Sequence, residues 1–494
     1  MSGLAEGFLF LAQPWPFFWL LLGVASGIFV GAVPGLGGGM LISLVMPLTF
    51  NMDHTSALVM MVGMYVGSVS GGLISAILLR MPGTPSSVMT TLDGYPMAVN
   101  GQPGRALGLG IGSSLIGGLI AGIFLVFLSP PLARWALAFG PWEYFTMALM
   151  ALVMIASISQ GSMLKGLLGG VLGVAMALPG LNESDGQTRL TFGFHALDDG
   201  FNLLPVLLGV FVMSQVIQDS IDIERRGSRI RVGREPIMPP AREWRRHSVN
   251  LARSSVVGTW IGILPGVGAS VSSMVSYGLA RTFSKQPQKF GTGHDEGIVA
   301  SEAANNANVG GALIPLIAMG IPGSPIDAIL LGALVMHNIQ PGPLLFTSNA
   351  SFVWALIAAY LAANVLMFVM MAASARRIAT VIDFNRAYLL PVIFVFCLVG
   401  AFALSNRLFD VWIVIGFGIL GFVLQLAKIP LGPFVIGLVL ANLLEAQLRS
   451  GLQLSDGSYW PMLTRPIAGS FTVLSLICLA YPFIKRPRVS PIES

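Results

Sequence analysis

The chain has 494 residues, 54% of them hydrophobic and only 10% charged, with a formal net charge of +5. A soluble domain carries about 25% charged residues, so the composition excludes an ordinary soluble enzyme, and a small arginine excess in an apolar chain marks cytoplasmic loops rather than nucleic-acid binding. Nearly uncharged stretches recur at 106–128, 350–373 and 463–484. Each is long enough to cross a bilayer core of about 30 Å. The expected fold class is an all-α polytopic membrane protein with about 10–12 transmembrane segments. Cys397 and Cys478 lie in apolar segments and read as packing residues.

The first 15 residues contain no lysine or arginine. They therefore lack the basic n-region of a cleavable signal peptide and suit an external N-terminus. At 31–39 comes GAVPGLGGG, five glycines and a proline inside an apolar run. Proline removes a helix donor and glycine weakens helices, so this segment is expected to be broken. Broken backbone at membrane depth is tolerated only where protein buries it or it lines a watery cavity. A second break follows at Pro82-Gly83-Thr84-Pro85, and after it a polar run with Ser86, Ser87, Thr90, Thr91 and Asp93. The glycine-rich stretch 108–122 reads as close helix packing. The acidic stretch 182–199 suits the outside, whereas the nine arginines of 225–253 mark that loop as cytoplasmic.

Both breaks then return. GILPGVGAS at 262 repeats GAVPGLGGG with an offset of 231 residues, matching Pro265, Gly266 and Gly268 to Pro34, Gly35 and Gly37. GGALIPLIAMGIPGSP, 310–325, repeats SGGLISAILLRMPGTP, 70–85, with an offset of 240. The second copy starts beside the cytoplasmic arginine loop and the first from an external end. Opposite entry faces define an inverted-topology repeat with broken, re-entrant helices, the plan of many secondary transporters. The expected organisation is a first membrane repeat at 15–220, a cytoplasmic basic loop at 221–253 and a second repeat at 254–375. Four C-terminal helices at 387–484 serve as scaffold. The basic stretches 375–386 and 485–488 are expected on the cytoplasmic side. Pro34–Gly39 and Pro265–Ser270 are expected to meet near the bilayer midplane.

Corresponding interruptions in two halves are the sequence pointer to a transporter site. The candidate substrate- and ion-binding residues are Pro34, Gly35, Gly37, Gly38, Ser68, Gly83, Thr84, Ser86 and Thr90 in the first copy. In the second they are Gly266, Gly268, Ser270, Asn305, Asn306, Asn308, Gly323, Ser324 and Asp327. Three asparagines within four residues, in SEAANNANVGG, are expensive in an apolar setting unless they are satisfied. They suit either helix–helix hydrogen bonding or contact with substrate or ion. Tyr65 and Ser68 align with Asn305 and Asn308. Asp327 suits stabilisation of a helix N-terminus or ion coupling. Freed carbonyls near Gly35 and Gly266, with Asn305, suit a sodium ion. The histidines are scattered singly, so no metal centre and no cofactor is expected beyond Na+ or H+ as coupling ion. No P-loop, nucleophile elbow or paired-carboxylate arrangement occurs, so an enzyme is not expected. An uncoupled anion channel built on the same breaks would carry flux without a cation gradient.

GAVPGLGGG, MPGTPSSVMTTLDGYPMAVNGQPGRALG, SEAANNANVGGALIPL and GIPGSPIDAILLGALVMHNIQPGPLLF together resemble the large membrane subunit of the tripartite tricarboxylate transporters, over residues 15–480. The resemblance implies a permease of the bacterial inner membrane that takes up carboxylates on a sodium or proton gradient. It also implies two partners, a small four-span membrane subunit and a periplasmic solute-binding protein. The chain departs from the family pattern at Ser301, where a proline often precedes EAANN, and at Asp327, where a small or hydroxyl residue is expected.

Overall fold

The structure is a computed structural model describing residues 2–34, 36–158, 162–181, 186–221, 230, 233, 237–381 and 386–484. Gly35, most of 222–236 and the tail 485–494 lie outside the described residues, as do 182–185 of the acidic stretch. The described residues are almost entirely helical. In chain order they form α1 (Ser2–Leu11), α2 (Pro14–Ala32), α3 (Gly38–Val45), α4 (His54–Leu79), α5 (Thr90–Val99) and α6 (Pro103–Ala136). Next come α7 (Pro141–Ile158), α8 (Met163–Ala177), a two-residue hairpin of β1 (Gly180–Leu181) and β2 (Thr188–Arg189), α9 (Leu203–Leu207) and α10 (Ser214–Ile221). The second half holds α11 (Ala241–Ile263), α12 (Gly268–Phe283), α13 (Asp295–Met319), α14 (Pro325–Met336), α15 (Leu345–Ser348) and α16 (Ala350–Val381). The chain ends with α17 (Arg386–Ser405), α18 (Leu408–Leu426), α19 (Leu431–Leu454), α20 (Pro461–Thr464) and α21 (Pro466–Ile484). Among the described residues seven helices are long and apolar enough to cross a membrane, with shorter apolar helices such as Pro325–Met336 besides. The chain is thus a multi-pass, all-α membrane protein. The basic stretch differs from its reading as a loop: α11 starts at Ala241, so Arg242, Arg245, Arg246 and Arg253 lie on a helix.

The chain divides into two compact units. One comprises 138–201 and 424–494. In it α19 packs on α7 and α8, and α21 on α7. Gly173 lies against the Phe434 carbonyl and Gly437 against the Gly170 carbonyl, so the backbones approach closely where small residues allow it. Arg189 clamps Glu445 with both terminal nitrogens, and Arg465 pairs with the buried Glu143 at 2.9 Å.

The other unit, 1–137 and 202–423, contains every residue of the candidate site. Its element order is duplicated. A helix (α2 or α11) stops at a Pro-Gly-x-Gly break, a short helix follows (α3 or α12), and then a long buried helix (α4 or α13) ends at a Pro-Gly-x-Pro turn. The backbone repeats at matched positions. Val33 and Leu264, which end α2 and α11, are both extended, with φ −86° and −74°. Arg80 and Gly320, which end α4 and α13, are both left-handed, with φ 56° and 72°. The proline and the left-handed residue each stop a helix for local reasons, and the same residue types recur at the same offsets.

Packing repeats as well. Gly27 and Gly31 of α2 lie on the backbone of Met64 and Ser68 in α4, and Gly258 and Gly262 of α11 lie on Ala304 and Asn308 in α13. These are the same pairs at offsets of 231 and 240. Gly83 abuts the Gly31 carbonyl, and Gly323 the Gly262 carbonyl. A side chain at Gly31 would collide with the Ser68 carbonyl, whereas a methyl at Gly37 meets no atom within 4 Å. Gly31→Ala is therefore expected to lose roughly 1–3 kcal/mol through overpacking, and Gly37→Ala to leave stability unchanged. Melting temperatures in detergent compare the two, and equal values would contradict this packing.

Candidate functional site

The two copies are joined crosswise. α3, which follows the first Pro-Gly-x-Gly break, packs on α14, which follows the second Pro-Gly-x-Pro turn. Methyls built on Gly38 and Gly39 would reach Ile326 and Ile329 of α14. The mirror contact pairs α12 with the turn Pro85–Ser87. Each break thus meets the Pro-Gly-x-Pro turn of the other copy, a pairing the sequence expectation of two meeting Pro-Gly-x-Gly motifs did not contain. The long helices cross over in the same way, with α13 on α6 and α4 on α16.

Both turns start helical backbone with a hydroxyl cap. At the first turn the Thr84 amide donates to Ser87 Oγ at 3.3 Å, Ser87 Oγ donates to the Thr84 carbonyl at 2.9 Å, and Thr84 and Ser86 share a hydroxyl contact of 2.9 Å. At the second the Asp327 amide donates to Ser324 Oγ at 3.3 Å. The Tyr65 phenol reaches the same Ser324 hydroxyl at 3.1 Å. Ser68 Oγ donates to the Tyr65 carbonyl at 3.0 Å and lies beside Gly38. The second turn opens the twelve-residue helix α14, whose N-terminus carries oriented amides, whereas the first leads into the single turn Pro85–Ser87.

The polar stretch of α13 is wholly buried. Asn306 accepts from Ser70 at 2.6 Å, donates to the Glu302 carbonyl at 3.3 Å and receives the Tyr360 hydroxyl on its own carbonyl at 3.3 Å. Asn308 donates to Ser272 at 2.7 Å, while its Oδ1 has no partner. Asn305 is 0% exposed and neither its oxygen nor its nitrogen has a hydrogen-bond partner. A native protein rarely strands a buried amide in this way. Asn306 is thus held by hydrogen bonds within the protein, whereas Asn305, beside the Glu302 carboxyl, has none of ordinary geometry. Thr90 caps the neighbouring Glu302, sharing a contact of 3.2 Å with Ser301, while Ser114 donates to the other Glu302 oxygen at 3.2 Å.

Among the remaining candidates, Pro34 and Gly37 line the first break, and Gly266 and Gly268 form the second with left-handed φ of 76° and 73°. Ser270 is half-buried near the start of α12. Gly35 lies outside the described residues. Gly323 supports the second turn through its contact with Gly262. Two groups in the polar runs beside the breaks were not among the sequence candidates for the site, Glu302 and Asp93. Glu302 was signalled by being ionisable inside an apolar helix. The Asp93 carboxylate accepts from the amides of Gly291, Gly293 and His294 and from the Tyr277 hydroxyl, at 2.7–3.0 Å. Nothing in the sequence pairs it with a loop roughly two hundred residues away.

Among the described residues no lysine or arginine is buried at this site. Its buried polar groups are amides, hydroxyls and the two carboxyl groups of Glu302 and Asp327. A separate cavity of about 370 Å³, lined by Leu128, Pro131, Leu132, Trp135, Trp260, Ile263 and Ile314, is apolar and offers no set of groups to orient a carboxylate.

The family model of the tripartite tricarboxylate transporter TctA family matches residues 17–436. A relative from Agrobacterium vitis, an uncharacterized 52.8 kDa protein of the TAR-I ttuC′ 3′ region, is 34% identical over 494 residues, 99% of this chain and 97% of its own length. Another from Agrobacterium vitis, an uncharacterized protein of the TAR-II ttuC′ 3′ region, is 35% identical over 222 residues, 45% of this chain and 92% of its own length. No solved structure matches. A family match over residues 17–436, with a relative 34% identical over nearly the whole of both chains, establishes that this chain belongs to the tripartite tricarboxylate transporter TctA family.

Proposed function

We propose that this chain is the permease subunit of a binding-protein-dependent uptake system for tricarboxylates or related carboxylates, and that a cation gradient drives it. The observations that carry the reading are the crosswise pairing of each helix break with the Pro-Gly turn region of the other copy and, on the buried helix α13, an asparagine without a hydrogen-bond partner. Duplicated breaks of this kind place substrate at the interface of inverted repeats. The protein works in the bacterial inner membrane, with a small four-span membrane subunit and a periplasmic solute-binding protein as partners. Carboxylate oxygens are held by the turn amides, the Thr84 and Ser86 hydroxyls and the Asn305 amide group. The chain performs no covalent chemistry on its cargo. In this orientation the stretch 225–253 faces the cytoplasm.

Uptake into proteoliposomes tests the reading. Both membrane subunits are reconstituted, with binding protein and a panel of labelled carboxylates outside. Accumulation that requires the binding protein and a sodium or proton gradient is expected. Flux that proceeds without gradient and binding protein would instead identify a pore. Orientation is checked in intact cells, where Gly233→Cys should resist an impermeant thiol reagent added outside.

A further inference from the structure

The two turns are equivalent in backbone but not in charge. Two of the matched positions differ in charge. Arg80, which ends α4, corresponds to Gly320, and Ser87 corresponds to Asp327. The first turn therefore carries a cation and the second a carboxylate. Arg80 is exposed beside its turn, 5.7 Å from the centre of the Tyr95 ring. Asp327 is 0% exposed.

Asp327 does not do what its counterpart does. Ser87 closes a capping box by accepting the Thr84 amide, whereas both Asp327 oxygens lack a hydrogen-bond partner. Helix capping thus leaves this carboxylate unexplained. A buried, unpaired carboxylate is costly, and it is neutralised by a bound cation or by a proton. The surroundings supply more hard oxygen donors. Ser324 Oγ caps the same helix, and the Tyr65 hydroxyl lies 3.1 Å from Ser324 Oγ. Oxygen donors around a carboxylate suit a hard cation rather than a soft metal. The charge of the first turn has the opposite sense. Its hydroxyls, with Arg80 at the rim, suit an anion.

We infer that the two turns divide the work: Asp327, Ser324 and Tyr65 bind the coupling cation, and the turn of Thr84 and Ser86, with Arg80, binds the substrate carboxylate. This rests on the proposed transport function and assigns its two ligands to opposite members of the repeat. The cation offsets the charge of an anion entering a site without buried lysine or arginine, so the two ligands bind best together.

Two readouts keep the division and the transport function apart. Cation binding is measured on the purified chain in detergent, as thermal stabilisation by Na+ at fixed pH and by lowered pH without Na+. Substrate is measured as citrate half-saturation in proteoliposome uptake. Asp327→Asn is expected to raise the Na+ half-saturation at least tenfold, and Ser324→Ala to raise it by a smaller factor that serves where Asp327→Asn fails to fold. If the proton is the coupling ion, Asp327→Asn abolishes the pH-dependent stabilisation instead, and Ser324→Ala shifts its midpoint. Citrate half-saturation at saturating cation is expected to change less than threefold. Arg80→Gln should show the converse, a citrate half-saturation raised several-fold with cation stabilisation unchanged. Cation stabilisation that survives both Asp327→Asn and Ser324→Ala would overturn the division, and so would Arg80→Gln that shifts only the cation. Wild-type protein that binds cation but takes up no carboxylate would instead contradict the transport function.

Discussion

Asn305→Ala is expected to weaken carboxylate uptake without lowering the amount of folded protein. The side chain is fully buried and none of its polar atoms has a hydrogen bond of ordinary geometry; it lies beside the Glu302 carboxyl, so alanine removes at most that one internal polar contact. If its amide group serves the ligand, the ligand loses a partner in a dry site at about 1–3 kcal/mol, roughly a 5- to 150-fold loss of affinity. Asn306→Ala behaves differently. It abandons the Ser70 hydroxyl and the Glu302 carbonyl, so protein levels should fall. Uptake measured against substrate and cation concentration, normalised to membrane protein, separates the two. Unchanged half-saturation for both solutes in Asn305→Ala would remove this residue from the site.

The second large effect is structural. Asp93 receives four donors, three of them backbone amides of 291–294 at the entry to α13. Asp93→Ala strands them all. Each unpaired buried donor costs about 1–3 kcal/mol, though water reaching the loop relieves part of this, and the total approaches the usual stability of about 5–15 kcal/mol. Loss of most monodisperse protein in detergent is the expected result. Asp93→Asn keeps one oxygen for the three amides, and its nitrogen can donate to the Tyr277 hydroxyl, so it should recover much of the loss. An alanine variant as abundant and as stable as the wild type would show that this carboxylate does not fasten the two copies together.

Much of this organisation is local and therefore legible in residues alone. Proline and glycine act on their own stretch of chain, so the breaks at Pro34, Pro82, Pro265 and Pro322 and their duplication stand out in the sequence. Length and apolarity likewise announce helices such as α6 and α16. Long-range contacts leave no such trace. Whether Gly38 meets Ser270 or Ile326 depends on how the copies interlock, and repeat matching cannot express a crossed pairing. Similarly, the three asparagines look alike in sequence. Only the positions of Ser70 and Ser272 distinguish the satisfied Asn306 and half-satisfied Asn308 from the stranded Asn305. The basic stretch was readable in charge but not in structure, because arginine is a good helix former and α11 extends out to Ala241.

A cryo-EM structure of the protein with a bound tricarboxylate tests the central claim most directly. The account predicts ligand density within hydrogen-bond distance of the Asn305 amide group and of the first turn at Thr84 and Ser86. Density confined to the apolar cavity near Trp135 and Trp260, or lying among the helices of 138–201 and 424–484, would contradict it.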